Sequence, residues 1–338
     1  MARSLLTLAA LATAAVEGLD AREVGGYDAG DESDFDSAVV TGADGRHWVV
    51  RVAKSERAEA EQSQDLLALR ALSVGVRGRL PFEVTRFAGQ TPVGTTRAVV
   101  TEFVYGDRVR LDAIPAGEGL ATSIGRAIAA IHTLPTSFVG DAGLPVHSPQ
   151  ESLRSLVSVL DRASATNLVP VALLRRWERA TEDSALWQFL PTVINGALTA
   201  DSFLRSGNEV SGITGWHALS VDDPARDLAW LLSARNTDVA ESALDAYQLA
   251  RGSSDRQIAQ RARLYSELEL AKWLLHGSQL RDSGIVDDAV AMLHNLVDRV
   301  EHDMDQTIAH NTMPVLAVDE VEAMLDERER RGDANPAS

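Results

Sequence analysis

The chain contains no cysteine among its 338 residues. Disulfides, thiolate metal sites and a cysteine nucleophile are therefore excluded. Long apolar runs are also missing. No uninterrupted stretch reaches the ~18 residues a spanning helix needs, so no membrane span is expected. Positive charge is scarce: 32 Lys and Arg face 49 Asp and Glu, a formal net charge of −17. Nucleic-acid binding draws on Lys and Arg to neutralise phosphates, so this balance argues against such a partner. What is present is globular in character, 45% hydrophobic and 24% charged, which sets the chain apart from disordered sequences. At roughly 100–200 residues per domain, two units or one large two-lobed unit are expected, enough to bury a sizeable core.

The N-terminus reads two ways. Arg3 precedes the apolar stretch Leu5–Val16, and Ala12-Thr13-Ala14 has the small-x-small form of a leader cleavage site. Against this, the basic region is one arginine. Leu5, Leu8, Ala12 and Ala15 also fall on one helical face. The expectation is an amphipathic helix that packs on the domain and ends near Gly18, in a cytoplasmic protein.

From Gly25 to Asp36 the sequence is acidic and glycine-containing and reads as a loop. Strand-like runs follow at Phe35–Thr41 and Trp48–Ala53, joined by the hairpin signal Ala43-Asp44-Gly45. Ser55–Leu72 reads as a helix with Leu66, Leu69 and Leu72 on one side. Phe82–Phe87 and Arg97–Phe103 are strand candidates, with Gly89, Pro92 and Gly94 between them. After Gly106 the pattern turns helical. Helices are expected at Leu120–Leu134, Ser152–Leu160 and Pro170–Thr181, with Pro145–Gln150 a loop. A short apolar run, Thr192–Ile194, leads to a second hairpin made of Ser202–Leu204, the turn Ser206-Gly207-Asn208 and Val210–Ile213. Helices at 227–234, 239–251, 255–280 and 284–309 follow, then a charged helix Val318–Arg331 and a polar tail. No internal repeat is present.

Three signatures line up in order. They are the strand Trp48-Val49-Val50-Arg51-Val52, the strand Val100-Thr101-Glu102-Phe103-Val104-Tyr105-Gly106, and a longer stretch. That stretch runs Val193-Ile194-Asn195-Gly196-Ala197-Leu198-Thr199-Ala200-Asp201-Ser202-Phe203-Leu204, then Ile213-Thr214-Gly215-Trp216, then Asp222-Asp223-Pro224-Ala225-Arg226-Asp227-Leu228-Ala229. Order and spacing resemble the aminoglycoside/macrolide phosphotransferase family, whose fold is kinase-like. That family reads His-Gly-Asp-Leu, three residues, Asn, a hairpin, Ile-Asp-Trp, then Gly-Asp-Pro-x-x-Asp-Leu-Ala. The resemblance spans most of residues 1–305.

The departures from that pattern are chemical. In such kinases a loop Asp orients or accepts the proton of the substrate hydroxyl, and an Asn and a later Asp hold Mg²⁺ against the phosphates. The resemblance places the loop His at Asn195, the catalytic Asp at Ala197, the metal Asn at Ser202 and the metal Asp at Gly215. Alanine and glycine can neither accept a proton nor ligate a hard cation. Loss of a general base alone costs ~10²–10⁴-fold in rate. Asp223 and Asp227 match structural aspartates that hold the catalytic loop by backbone hydrogen bonds. Read without the family, Asp223 before Pro224 is a turn and helix cap. Asp201 and Asp222 are the nearby carboxylates that a rearranged active site could use.

On the nucleotide side, Arg51 stands where the family has a basic residue facing the phosphates; the alternative is a surface arginine on a half-exposed strand. Glu61 is the expected helix carboxylate to pair with it, with Glu59 and Asp65 as competitors. Glu102 to Val104 would offer backbone groups to a purine. The loop Gly30–Asp36 carries four carboxylates in place of a glycine-rich phosphate cradle, and these would repel a triphosphate unless cations intervene. His294, His302 and His310 recur every eight residues, whereas metal pairs on a helix favour four, so they read as surface histidines. Trp177, Trp187, Trp216, Trp230 and Trp273 read as core. Asp326–Arg331 reads as a salt-bridged helix end. Ser202 and Ser211 have no histidine at nucleophile–base spacing.

The expected architecture is α+β, two-lobed and protein-kinase-like. Residues 1–105 form a β-rich lobe, 106–312 a helical lobe, and 313–338 a charged helix and tail. The expected function is that of a phosphotransferase-family protein with impaired catalysis. The alternatives are an ATP- or GTP-dependent small-molecule kinase with a rearranged site, and a non-enzymatic docking protein. The cleft is expected to take ATP, GTP, another small molecule or a protein, with Mg²⁺ binding lost.

Overall fold

The computed structural model describes residues 3–27, 34–234, 236–252 and 255–300. Helix α1 (Leu5–Ala15) starts where the Ser4 hydroxyl accepts from the Thr7 amide. It buries Leu8 and Ala12 against a sheet, while Leu5 of the same stripe stays 40% exposed. Strands β1 (Ala21–Gly26), β2 (Phe35–Gly42) and β3 (His47–Ala53) lead into helix α2 (Glu56–Ala71), capped by the Ser55 hydroxyl. A one-turn helix α3 (Val74–Arg77), a two-residue β4 (Glu83–Val84), β5 (Phe87–Val93) and β6 (Thr96–Glu102) follow. The first sheet has the antiparallel order β1-β2-β3-β6-β5.

The period-two alternation along β3 and β6 positions everything that follows. Trp48, Val50, Val52, Ala98 and Val100 face α1 and form one apolar cluster. Val49, Arg51, Val99 and Thr101 face the opposite way and line a cleft. The sheet is thus covered on both sides, and Arg51 lies on the cleft face rather than on a solvated one.

Three expectations for this region change. β1 occupies residues before and including Gly25 and Gly26, because even glycines can pair at the edge of a sheet; residues 28–33 of the expected loop lie outside the described residues. The expected strand Phe82–Phe87 is two elements. β4 pairs in parallel with a strand of the helical region, and β5 runs on through Gly89 and Pro92. Proline is tolerated there because β5 is an edge strand. Gly89 is required by packing: a Cβ at this position would sit 1.9 Å from the Ala15 carbonyl oxygen.

Beyond β7 (Asp107–Arg108) come helices α4 (Leu120–His132), α5 (Ser137–Asp141), α6 (Pro149–Ser164) and α7 (Val171–Glu182). Helix α6 begins three residues earlier than expected, because Ser148 and Glu151 form a capping box with Pro149 in the first turn. β8 (Thr192–Ile194) precedes the hairpin β9 (Phe203–Ser206) and β10 (Glu209–Ile213). β11 (Ser220–Asp222) returns to pair with β8. A second sheet has the order β4-β10-β9-β7. A 3-10 segment, Pro224–Ser233, leads to α8 (Thr237–Arg251), α9 (Ile258–Leu280) and α10 (Ser283–Val300). Residues 301–309 of the expected last helix, the Val318–Arg331 helix with its Asp326–Arg331 run, and His302 and His310 lie outside the described residues. His294 is exposed and bonds only to the Val290 carbonyl. Trp177, Trp187 and Trp216 are buried, and Trp230 is partly so. Trp273 departs from the expectation: it is 38% exposed, stacks on His276 and donates to Asp288.

Buried ion pairs tie the helical region together. Arg176 and the Trp177 indole N–H both donate to Glu267, at 3.1 and 2.8 Å. Arg261 reaches Asp223 at 2.8 Å and Asp255 at 2.6 Å. Asp227 is the most connected to the loop after β8. Its two oxygens accept from the Asn195 and Gly196 amides, each at 2.7 Å. His132 Nε2 lies 3.2 Å from the same carboxylate, and His132 Nδ1 lies 2.9 Å from the Tyr247 hydroxyl. Two outcomes follow. Asp227→Ala strands two amides and an imidazole, and should cost about 3–5 kcal/mol in urea denaturation, with Asp227→Asn milder. Gly89→Ala must push α1 off the sheet and should cost about 1–3 kcal/mol by the same measurement.

Candidate functional site: an inter-sheet cleft

The cleft has a volume of about 400 Å³, within the usual range for small-ligand sites. Its walls come from β3 and β6, from α2, from the segment after β6, and from the loops that flank the β9–β10 hairpin. Arg51, Glu61, Glu102, Val104, Ala197, Ser202 and Gly215 all line it. The expected nucleotide-side and catalytic-side positions are therefore brought together by the fold.

Asn195 stands behind this surface, fully buried. Its amide nitrogen donates to the Gly215 carbonyl at 2.8 Å, and its side-chain oxygen accepts from the Ala197 amide at 3.2 Å. It thus ties the two halves of the motif to each other. Asp227 holds the loop by two backbone amides, as the resemblance implies. Asp223 does not touch that loop: it caps the 3-10 segment through the Ala225 amide at 2.9 Å and pairs with Arg261. The turn-and-cap reading of Asp223 is the one the geometry follows.

The donor set does not fit a divalent cation. Ala197 and Gly215 bring no ligating atom. The Ser202 hydroxyl is engaged by the Thr199 amide at 3.1 Å. Among the described residues no group of three or more His, Asp or Glu is arranged to hold a metal. Gly215 has φ +75° and open space where a Cβ would point. Asp and Asn are among the residues that tolerate this left-handed backbone, so the position could still carry a side chain.

The three α2 carboxylates considered as partners for Arg51 each make their direct contact with another group. Glu59 lies 3.6 Å from Arg97, and Glu61 lies 3.8 Å from His217. Asp65 accepts from the Trp216 amide at 2.6 Å. Burial pushes the Asp65 carboxyl above its ordinary value, against the pull of that amide and of Arg51. Arg51 instead lies over the Phe35 ring at 4.2 Å, and its buried Nε has no hydrogen-bond partner. The expected Arg51–Glu61 pair is not formed; Glu61 stands beside His217, on the loop facing α2, and Arg51 lies on Phe35.

At the other wall, Glu102 pairs with Arg46 at 2.8 Å. Its amide donates to Arg86, and the Phe103 amide donates to His47. Of the expected purine-facing segment, Val104 lines the cleft outside any strand ladder. In the acidic loop, Asp34 pairs with Arg57, and Asp36 pairs with Arg3 at 2.9 Å. Two of the four carboxylates expected to repel phosphate are therefore neutralised.

Asp201 lines the cleft, and its carboxylate has no hydrogen-bond or ion-pair partner among the described residues. Asp222 does not reach the cleft. It is buried among Ser152, His147 at 3.0 Å, Arg226 at 2.5 Å and the Asp223 amide at 2.7 Å. Burial opposes its charge, but Arg226 and these donors hold its carboxyl below the ordinary value. Asp222 therefore does not stand among the groups that face this cleft.

Sequence reading missed Arg108 and Tyr27. Arg108 lies over the Tyr27 ring at 5.2 Å, donates to the Tyr27 hydroxyl at 3.0 Å and donates to the Asp201 carbonyl at 3.2 Å. Both line the cleft, and they join β1 to the helical region. Their only sequence signal was an arginine two residues after the Tyr105-Gly106 turn. His132 and Arg261, which brace the two aspartates, had no signal apart from their place in apolar helices.

Comparison with known proteins gives the same picture. Macrolide 2'-phosphotransferase MphH from Brachybacterium faecium is 21% identical and superposes with a TM-score of 0.71, over 86% of this chain and 97% of its own. A macrolide 2'-phosphotransferase type I is 23% identical, with a TM-score of 0.68 over 87% and 98%. Aminoglycoside 2'-phosphotransferase-IIIa in its GDP complex is 17% identical, with a TM-score of 0.70 over 87% and 98%. These establish the kinase-like fold. Uncharacterized protein YcbJ of Bacillus subtilis (strain 168) is 24% identical over 147 residues, 42% of this chain and about half (47%) of that protein. Residues 29–269 match the phosphotransferase enzyme family, and the chain belongs to it.

Proposed function

We propose that this protein is a catalytically impaired phosphotransferase of the aminoglycoside/macrolide kinase type, which binds a ligand in its cleft without a metal ion. One observation carries the reading. At the positions where the family pattern places a catalytic Asp and two metal ligands, the cleft wall offers a methyl group, an engaged hydroxyl and a glycine. Phosphoryl transfer depends on metal and positioned charge to stabilise the transferring group. Removing all of these leaves a bracing scaffold of Asp227, His132 and Asn195 around a cleft without the acceptor-activating and metal-holding groups of the family pattern.

A second reading is favoured by Asp201. Its unpartnered carboxylate lines the same cleft and could act as the base in an ATP- or GTP-dependent kinase for a small hydroxylated substrate, as the macrolide and aminoglycoside enzymes suggest. The docking-protein reading has no feature of the cleft in its favour.

Two experiments decide between these. Phosphate release and transfer should be undetectable with ATP or GTP and Mg²⁺, and Asp201→Asn should change nothing. A Mg²⁺-dependent turnover that Asp201→Asn removes would establish the second reading instead. Conversely, Ala197→Asp, Ser202→Asn and Gly215→Asp together should create Mg²⁺-dependent ATP binding. Ligand at ~100 times its dissociation constant would add about 2.7 kcal/mol, visible as a rise in Tm. A folded triple variant that still ignores Mg²⁺ would show that the motif has been placed at the wrong residues.

A further inference from the structure

We propose that a basic, apolar groove behind helix α2 docks the acidic segment Val315–Glu327 of this same chain. The inference is independent of what the cleft holds.

The groove has a volume of about 740 Å³ and lies between the C-terminal end of α2, the one-turn α3 and the start of β5. Its floor is apolar. Leu72, Phe82 and Val84 are buried there, and Phe87 is half-buried. At its mouth Val74 is 89% exposed. Contiguous apolar surface of this kind marks an interaction site, whereas a single exposed valine would not.

The charge of the groove is opposite to that of the chain. Residues 69–87 carry four arginines and one glutamate, in a chain of net charge −17. Arg77 and Arg86 line the groove. Arg70 lies over the Phe87 ring at 5.7 Å, and Arg79 is exposed between two lining residues, Gly78 and Leu80. Arg70 and Arg79 make no ion pair among the described residues. Arg77 donates to four backbone carbonyls, those of Leu69, Leu72, Val84 and Thr85. These bonds tie α2 to β4 and bring no negative charge. Burial and the neighbouring Arg86 push the Arg77 guanidinium below its ordinary value. Glu83 is the one lining carboxylate among the described residues, and it stands 3.8 Å from Arg86. The complement of such a surface is a segment that joins carboxylates to apolar side chains.

Val315–Glu327 has that composition. It holds five carboxylates and no basic residue, and its Val318, Val321 and Leu325 recur at spacings of three and four. Peptides seat apolar side chains in grooves with this spacing. Fifteen residues lead from Val300, where the described helix α10 ends, to Val315. A stretch of that length reaches up to about 50 Å, comparable with the width of a folded chain of this size, whose radius of gyration is roughly 20 Å. A tethered segment also meets the groove at a high effective concentration, which a separate partner does not.

The test is disulfide trapping in the full chain, whose lack of cysteine makes an introduced pair unique. A disulfide forms only when the two Cα atoms come within about 7 Å. Val74→Cys with Val321→Cys should cross-link within one chain under mild oxidation. The control, Leu249→Cys with Val321→Cys, uses a position that is 86% exposed on α8. It should cross-link at least about tenfold more slowly. Raised NaCl should slow the first pair, since the attraction is ionic. Arg70→Glu with Arg79→Glu should slow it at least about tenfold. Asp319→Lys with Glu322→Lys should do the same from the other side, which covers the case in which the groove variant fails to fold. Combining both charge reversals should restore the rate. Equal rates for the Val74 and Leu249 pairs would overturn the docking, since the segment would then be meeting the whole surface at random. Cross-links that join two chains would place the segment on a second copy and overturn docking within one chain. Trapping that neither salt nor charge reversal slows would overturn the basic rim as the anchor.

Discussion

The two short hydrogen bonds from the Asn195 and Gly196 amides to Asp227 are the contact on which the site depends. A carboxylate inside a protein is costly unless its oxygens are filled, and these two amides together with His132 fill them. The same contact fixes the backbone just before Ala197, and Asn195 then carries that position across to Gly215. The loop between β8 and β9 is thus held in place by Asp227, His132 and Asn195. None of these contacts involves the side chain of Ala197 or Gly215.

The cleft's other wall is set by strand alternation and by helix α1. Because α1 covers the outer face of the first sheet, Trp48, Val50 and Val52 have an apolar neighbour there, and Val49 and Arg51 are turned inward. The basic residue of β3 is thereby placed in the cleft by the pleat alone. Its usual relation to the neighbouring helix is changed by what stands opposite α2. His217 draws Glu61, and the amide of Trp216, just after Gly215, draws Asp65. Helix α2 is bound to the segment after Gly215 through the Trp216 amide. Arg51 is left facing the cavity, stacked on Phe35 and without a direct ion pair among the described residues.

Much of this was legible in the residues. The strand around Arg51, helix α2, the Thr192–Ile194 run, the hairpin after Ser202 and the Asp223-Pro224 cap all follow from local pattern, and the structure places them accordingly. What failed to show were features whose cause lies far along the chain. β5 contains Gly89 and Pro92, loop residues by local chemistry, and becomes a strand because it is an edge and because α1 packs closely on Gly89. The destinations of Glu59, Glu61 and Asp65 depended on Arg97, His217 and Trp216, which approach only in the folded state. Asp222 looked like a spare catalytic carboxylate until the fold buried it beside Arg226 and Ser152.

The sequence by itself determined the kind of molecule this is. The order of strands and helices, the apolar alternation and the identity of residues 195, 197, 202 and 215 decide the fold class and which chemical groups are missing, because those properties are local. The tertiary structure alone decided which charges are free. Whether Arg51, Arg108 and Asp201 face a partner or a cavity is a matter of distance between segments up to about 150 residues apart in sequence. Electrostatic pairing depends steeply on that distance and on burial, and neither quantity exists until the chain has folded.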